Sequence, residues 1–269
     1  MSYDFTGAAG TEILFDTPSG ATLTPTEPNS FSAWIQYDVW GTSGIISALS
    51  DATSAGCLIY TAGTSGNRLL YMFWSGTSSY RQLGTVEDDM PAASATNWVH
   101  VAGSMDGTTT TGNWKLYING AESLGSQSGS ASTLKAADDD YYLGTYGYAD
   151  SALNGRIAFP CMWSNYELTQ QDVDTLQNAH PYTVQPGKIV FAPELTTGAV
   201  DSISQATGTP TNATLDSRNP PIVYPVGPIY IPSAAAAPPA GGWATGGLAR
   251  SGGLAGRGGL AGIGGGLAG

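Results

Sequence analysis

Alternating apolar and polar residues run through most of the chain before residue 165 and predict short β-strands. In Trp114–Asn119, the apolar side chains from Trp114 onwards recur at every second position. A half-buried strand requires this, because successive side chains leave opposite faces. Phe31–Tyr37 alternates in the same way, and Trp34 lies on its second face. An aromatic residue there indicates that this side is covered too, as in a sandwich of two sheets.

Turn-forming residues separate four further strand-like segments at intervals of about ten residues, which is typical of a β-sandwich or barrel. These segments are Gly44–Leu49, Gly56–Tyr60, Leu69–Trp74 and Tyr80–Leu83. Other strand-like segments are Ile13–Phe15, Trp98–Ala102, Tyr141–Thr145 and Gly155–Trp163. Asn119 and Gly120 both tolerate positive φ and therefore predict a tight hairpin after the strand at Trp114–Asn119.

The last of these segments, Gly155–Trp163, contains a proline. Because Pro160 cannot donate a backbone hydrogen bond, we expect the strand to lie at a sheet edge or to carry a bulge. Continued alternation would place four side chains on one face of the strand, those of Ile157, Phe159, Cys161 and Trp163.

One segment, near residues 168–179, has the pattern of an α-helix. Thr169 is the expected N-cap, Asp172 takes the capping-box position, and Val173 and Leu176 form the buried stripe. The predicted fold class is therefore all-β: a two-sheet antiparallel jelly-roll sandwich with one short helix and an extended Pro/Gly-rich C-terminal arm.

The composition of the chain changes after residue 181 and predicts three regions. Residues 1–181 form the sandwich domain. Residues 182–232 are strand-like or extended, and we expect them to pack on that domain or on a neighbouring copy. Residues 233–269 combine an Ala/Pro spacer with a glycine-rich end in which a Gly-Gly-Leu-Ala unit recurs.

Composition and charge exclude several classes of partner. The chain of 269 residues has 11% charged residues and a net charge of −12, with nine lysines and arginines in total. No basic cluster can neutralise phosphates, so we expect neither nucleic-acid binding nor attraction to an anionic membrane surface. No apolar run approaches the ~20 residues of a membrane span, and the N-terminus lacks a signal-peptide pattern. We expect no membrane insertion, synthesis in the cytoplasm, and release as part of an extracellular assembly.

Three sequence motifs occur in a fixed order along about two thirds of the chain. They are FSAWIQY at Phe31–Tyr37, the two-strand pattern of Trp98–Glu122, and the segment Leu143–Trp163, in which N-G-R-I precedes the final strand. Together they resemble the concanavalin A-like jelly-roll domains of the laminin-G and pentraxin type, and LTQQDVDTL resembles the short helix that commonly comes next. The resemblance implies two packed antiparallel sheets. It implies no single function, because this fold carries lectins, hydrolases, adhesion modules and virion parts.

The C-terminal addition, down to LDSRNPPIVYP, resembles the ending of stand-alone laminin-G-like proteins encoded by tailed bacteriophages. This second resemblance implies a virion protein.

Residues that could perform catalysis do not occur at catalytic spacings. Glucanases with this fold use a Glu-x-Asp-x-x-Glu strand, which is absent, and Glu87–Asp89 is expected to be a solvated loop. Neither His100 nor His180 has an evident Ser or Cys partner, so a nucleophilic triad is unsupported. Cys57 and Cys161 are expected to be buried thiols, although their pairing is left open. We therefore expect no enzymatic activity.

Two sets of residues are candidate binding sites. The carboxylates of Asp138, Asp139 and Asp140 offer hard oxygen ligands for Ca²⁺, although an acidic surface turn explains them equally well, and no other cofactor is expected. The aromatic candidates for stacking on glycans are Trp40, Tyr146 and Tyr148. Core packing or subunit contact is the alternative role for these rings.

The glycine-rich end is the main functional indication. Leu248, Leu254 and Leu260 are six residues apart, and Leu267 comes seven later. A spacing of six returns to one face both in a strand and in a polyproline II helix, so the leucines, together with Trp243, would face a partner. We expect an assembly arm that contacts other copies of the chain; a flexible linker is the alternative.

The leading hypothesis is a non-enzymatic structural protein that self-associates on a larger assembly, such as a capsid decoration or fibre-like protein of a bacteriophage virion, where a capsid or tail protein is a further partner. The first alternative is a carbohydrate-binding adhesin, which the fold permits. The second is a subunit of a free extracellular filament.

Overall fold

The computed structural model describes residues 1–16, 22–50, 55–63, 67–74, 80–107, 113–123, 125–129, 134–145, 151–195 and 198–222. The strands in chain order are β1 (Ser2–Thr6), β2 (Glu12–Phe15), β3 (Pro28–Tyr37), β4 (Ser43–Ser50), β5 (Ala55–Ala62), β6 (Arg68–Trp74), β7 (Tyr80–Gly84), β8 (Val99–Asp106), β9 (Lys115–Ile118), β10 (Ala121–Glu122), β11 (Gln127–Ser128), β12 (Tyr141–Leu143), β13 (Asn154–Ser164), β14 (Ile189–Phe191), β15 (Pro193–Leu195), β16 (Ala199–Asp201), β17 (Thr209–Thr211) and β18 (Ala213–Asp216). A helix, α1 (Gln170–Leu176), and two 3₁₀ turns at Pro181–Thr183 and Pro186–Lys188 come after β13.

The strands form two large antiparallel sheets packed face to face, which confirms the predicted jelly-roll sandwich. Sheet A has the order β10-β9-β8-β3-β13-β1-β18, and β14 pairs with the far end of β13. Sheet B has the order β11-β7-β6-β5-β4-β12-β2-β17. Neighbours in each sheet are often distant in the chain, so the fold depends on long-range pairing.

The main core lies between the two sheets and contains the alternate side chains of their strands. Phe31 of β3 packs edge-on against Tyr71 of β6, with ring centroids 5.0 Å apart, and Tyr71 also contacts Trp114. On the opposite face of β3, Trp34 is only 7% exposed because it lies in a second cluster outside sheet A. The prediction that both faces of this strand are covered is therefore confirmed.

The alternation predicted for the segment Gly155–Trp163 is wrong because β13 carries a bulge. Its pairing register with β3 shifts between Ala158 and Cys161, around Pro160. An extra residue in one strand reverses which face the next side chains occupy. Ile157 consequently packs in the main core, whereas Cys161 and Trp163 pack on the outer side of sheet A. The strand is central in its sheet, so the bulge accommodates the proline.

The predicted helix exists but is shorter than the expected 168–179. Thr169 is the N-cap, and the capping box with Asp172 is formed in both directions. Val173 and Leu176 are buried against the outer side of sheet A, as predicted. The helix ends at Leu176 with Gln177 as the C-cap, so the chain leaves the helix before reaching Pro181.

The predicted hairpin turn is also confirmed. Asn119 and Gly120 have φ values of 48° and 82° and connect β9 to β10. The turn lies against α1, because the Gln170 side-chain amide donates to the carbonyl oxygen of Gly120 at 2.7 Å.

The segment after the helix adds strands to both sheets. β17 pairs with β2 at one edge of sheet B, and β18 pairs with β1 at the neighbouring edge of sheet A. The described residues all belong to one compact unit. Within the described residues, no helix is long and apolar enough to cross a membrane.

Candidate functional site

The outer face of sheet B is the side turned away from the main core. On this face, six residues on adjacent strands lie opposite one another and form a continuous row across the sheet. Across the sheet the row consists of Tyr142, Ser47, Leu58, Met72, Gln82 and Ser128. Leu58 and Met72 are 2% and 5% exposed, so the centre of the row is tightly packed. The ends of the row are polar or aromatic.

Aromatic side chains flank this row. Tyr60 lies opposite Leu70, and its hydroxyl donates to Oε1 of Gln82 at 2.6 Å. Trp74 and Tyr80 face each other across β6 and β7, and both are partly buried. Within the described residues, the buried Nε1 of Trp74 has no hydrogen-bond partner. Flat apolar rings beside amide and hydroxyl groups are the chemistry that binds sugar rings, so this face is the candidate binding surface.

A serine–histidine pair lies on the opposite side of the molecule, on the outer side of sheet A. The pairing of β3 with β8 brings Ser32 Oγ to 2.9 Å from Nε2 of His100, a contact that the sequence did not reveal. His100 is fully buried and Ser32 is 2% exposed. Burial lowers the pKa of His100 to about 3, since the charged ring would lose its hydration. A buried, neutral histidine without access to solvent cannot act as the base of a nucleophilic serine.

His180 also serves packing. Its ring stacks on Tyr182, with centroids 4.7 Å apart, and meets Phe159 edge-on. Burial lowers the pKa of His180 to about 4. The ring Nδ1 accepts from the backbone N–H of Tyr182, so His180 caps the 3₁₀ turn that begins at Pro181.

The main cluster of charges surrounds Arg156 in β13. Its guanidinium donates to Gln36 and Asp38 at 3.0 Å, to Asp216 at 3.1 Å and to Asp4 at 3.3 Å. The Arg156 side chain is only 5% exposed. The described contacts of this cation connect β13 to residues in or directly after other strands, so the cluster stabilises the fold.

The acidic residues 87–89 are directed to separate partners, as expected for a loop. Glu87 pairs with Arg68 at 3.4 Å, Asp88 accepts from the backbone of Asn67, and Asp89 accepts from the hydroxyl of Ser123. Their carboxylates therefore do not form an acid–nucleophile pair.

Cys57 and Cys161 are both buried, as predicted, and both are free, a point that the sequence left open. They lie in different clusters, Cys57 in the main core and Cys161 outside sheet A. Burial raises the pKa of both thiols, so neither is a reactive thiolate at neutral pH.

The other predicted site residues do not come together in one place. Asp138 is exposed, and Asp139 and Asp140 are half-buried. Among the described residues, no three acidic, histidine or cysteine side chains are arranged to hold a metal. Trp40 stacks on Tyr37 with centroids 4.4 Å apart and packs against the main core, so one face of its ring is already occupied. The remaining residues lie outside the described part of the chain: Tyr146, Tyr148, Trp243, Leu248, Leu254, Leu260 and Leu267.

Comparison with known proteins defines the class. A family model described as the concanavalin A-like lectin/glucanases superfamily, of laminin-G type, matches residues 9–174, which is more than half of the chain. The chain therefore belongs to this laminin-G-type family of the concanavalin A-like superfamily. A search of curated proteins gave no match.

Solved structures share the fold at low identity. A proposed carbohydrate-binding protein from Bacteroides ovatus ATCC 8483 superposes with a TM-score of 0.55 at 17% identity, over 82% of this chain and 61% of the other. The heptameric SAP-like pentraxin of Limulus polyphemus gives 0.39 at 14% identity, over 65% of this chain and 80% of the other. Mouse laminin α1 domains LG4-5 give 0.43 at 14% identity, over 63% and 43%. The chain thus spans less than two thirds of the Bacteroides ovatus protein, and these likenesses concern the fold alone.

Proposed function

We propose that this chain is a non-enzymatic structural protein that self-associates within a larger assembly, specifically as a capsid decoration or fibre-like protein of a bacteriophage virion. The Gly-Gly-Leu-Ala repeat that comes after the sandwich is the observation that carries the proposal. Glycine permits close approach of backbones, and leucines that recur at intervals of six or seven offer apolar contacts to neighbouring copies.

The chemistry of the sandwich supports a non-enzymatic role. In the described residues, His100 and Ser32 are buried, both thiols are buried, and the carboxylates at 87–89 have separate partners. General acid–base or covalent catalysis needs such groups to be accessible to a substrate.

Deletion of residues 241–269 tests the proposal. We expect the full chain to form an assembly whose mass falls to that of the monomer on deletion, with the near-ultraviolet circular dichroism of the sandwich unchanged. The measurement is size-exclusion chromatography with light scattering. An assembly of unchanged mass after the deletion would contradict the proposal.

A matched pair of full-length variants tests whether assembly depends on the leucine side chains or on the glycine-rich backbone. One variant replaces Leu248, Leu254, Leu260 and Leu267 by serine. The control replaces the alanine next to each leucine, namely Ala249, Ala255, Ala261 and Ala268, by serine. We expect the leucine variant to lose assembly and the alanine variant to keep it. Equal behaviour of the two would show that no apolar row is involved.

Carbohydrate binding is the second candidate, and the aromatic outer face of sheet B favours it. Trp74 and Tyr80 lie side by side there, next to a hydroxyl–amide pair formed by Tyr60 and Gln82. On a glycan array we expect binding by the native chain that Trp74→Ala reduces at least about fivefold, because stacking of a ligand ring on one aromatic side chain contributes roughly 1–3 kcal/mol. Val86→Ala is the control, since Val86 is 46% exposed in a loop. An array without hits would exclude this candidate.

A further inference from the structure

Residues 209–222 form a strap that closes one side of the sandwich. β17 extends sheet B and β18 extends sheet A, and a single residue, Asn212, connects them with a φ of 53°. The strap lies beyond residue 174, where the match to the family model ends. It therefore joins the edges of both sheets with a segment added to the family domain.

Charges hold the strap after it leaves β18. Asp216 accepts from Arg156 at 3.1 Å and from Arg218 at 2.6 Å. The carbonyl oxygen of Arg218 in turn accepts from the hydroxyl of Ser2 in β1 at 2.9 Å. Arg218 is thereby bound through both its side chain and its backbone.

The strap ends in an apolar pocket on the outer side of sheet A. Ile222 is 8% exposed and packs in a cluster with Trp34, Ala158, Phe159 and the partly buried Trp98. The bulge of β13 builds one wall, since Phe159 has a φ of 49°. Left-handed backbone at a bulky residue is strained and persists only where the surrounding structure holds it.

We propose that the pocket of Trp34, Trp98, Ala158 and Phe159 is an anchor site for Ile222, which holds the strap against the outer side of sheet A. The anchor does not rest on the proposed function.

Two independent features carry the inference. Ile222 is an apolar residue that comes three positions after the polar run Ser217–Asn219. It lies outside the strands, so no sheet pairing accounts for its burial. The pocket presents two tryptophan rings on a face that is otherwise covered by α1 and the 3₁₀ turns. Burial of a branched aliphatic side chain against such rings is the contact that would hold a segment lacking ladder hydrogen bonds.

Cleavage by trypsin after Arg218 tests the anchor in the full-length protein. Proteolysis of a transiently opened segment depends on the population of the open form. We expect Ile222→Asp to accelerate formation of the fragment 1–218 by about tenfold or more, and Ile222→Ala to accelerate it less. Val39→Asp is the matched control, because Val39 is 57% exposed, and we expect no acceleration. Mass spectrometry of early time points separates this cut from cuts at Arg250 and Arg257.

The variant Trp98→Ala, which removes one tryptophan ring from the pocket, tests the contribution of the pocket. If Ile222 binds there, Trp98→Ala should accelerate the same cut, and the double variant should be no faster than the faster single variant, because both changes release one contact. Unchanged cleavage in both single variants, or accelerations that multiply in the double variant, would overturn the inference.

Deletion of residues 241–269 distinguishes the anchor from the proposed function. Faster cleavage of Ile222→Asp together with an assembly that survives this deletion supports the anchor and refutes the assembly arm. Loss of assembly on deletion together with unchanged cleavage of Ile222→Asp supports the arm and refutes the anchor.

Discussion

Arg156 is a buried cation whose four partners come from three separate parts of the chain. Its bonds connect β13 to β1, β3, the residue after β3, and β18. Removing one member of a buried charge cluster leaves the others desolvated and unpaired. Asp4 and Asp38 would both face that loss, whereas Asp216 would keep its pair with Arg218. Arg156 therefore connects the sandwich to its C-terminal strap.

We predict that Arg156→Gln lowers the free energy of unfolding by about 3 kcal/mol, measured by urea denaturation at neutral pH. Lys115→Gln is the control, since Lys115 and Glu167 form a pair whose side chains are 37% and 36% exposed. Exposed pairs contribute less than about 1 kcal/mol. A loss for Arg156→Gln no larger than that of the control would contradict the assignment.

The two histidines predict a pH dependence of stability. Burial lowers the pKa of His100 to about 3 and that of His180 to about 4, whereas an exposed histidine has a pKa of about 6.5. The unfolded chain therefore binds protons first as the pH falls. Stability is full above pH ~6.5 and declines below it, by up to about 1.4 kcal/mol per pH unit for each histidine.

Urea denaturation between pH 7.5 and 5 measures this slope while most carboxylates are still ionised. We expect His180→Phe, which keeps an aromatic ring between Phe159 and Tyr182, to reduce the slope by about half. A native protein whose stability is independent of pH across this range would contradict the burial of both rings.

Residue-level pairing was the least predictable part of the structure. His100 and Ser32 are separated by 68 positions, and only the register between β3 and β8 brings them together. His100 lies in an apolar strand of the sequence, and its ring is fully buried. A one-dimensional pattern shows that a side chain is buried, but the partner depends on which strand becomes the neighbour.

At the scale of elements, the hairpin of β9 and β10 depends on the conformational freedom of a glycine. Gly120 has a φ of 82°, which other residues adopt at a cost. A Cβ atom at this position would also overlap the side-chain amide of Gln177, the C-cap of α1. The turn and the helix are therefore fitted to each other.

Gly120→Ala should lower the free energy of unfolding by about 1 kcal/mol, because alanine is strained at a φ of 82°. The flexible end of the Gln177 side chain can move away from the added Cβ atom. Gly187→Ala is the matched control, since a Cβ atom there meets no atom within 4 Å. We expect the control to change stability by less than about 0.5 kcal/mol. Thermal denaturation of both variants provides the measurement, and equal melting temperatures would contradict the prediction.

Local sequence signals predicted individual elements well. They did not predict which face of β13 the side chains occupy after its bulge. The capping box at Thr169 and Asp172 and the Asn-Gly turn were both confirmed, because each is complete within a few residues. The prediction that Cys161 and Trp163 share a face with Ile157 was wrong, since the bulge before them reverses the alternation. Pro160 predicted either a bulge or a position at the sheet edge. Only the strand order of sheet A, in which β13 is central, shows that the bulge is the solution.

The whole molecule encloses its two thiols on different sides of sheet A. Cys57 lies between the sheets and Cys161 lies under the segment that contains α1. Because burial raises the pKa of each thiol, both need an opening of the structure before they can react.

We therefore predict that neither cysteine reacts with a thiol-specific reagent in the native protein at pH 8, and that both react in urea. Mass spectrometry of alkylated protein over several hours provides the measurement. The reaction in intermediate urea should track unfolding of the sandwich. Rapid modification of either cysteine in native buffer would contradict its enclosure.

The sequence alone was sufficient to predict the class of fold, because alternation, turn residues and capping residues act over short distances. It also identified the glycine-rich end as the most unusual segment of the chain. The three-dimensional arrangement was needed for the facing of side chains after the bulge of β13, the burial of Ser32 beside His100, the charges gathered on Arg156 and the docking of Ile222. Each of these depends on contacts between strands that are distant in the chain, and such contacts form only when the two sheets close around their core.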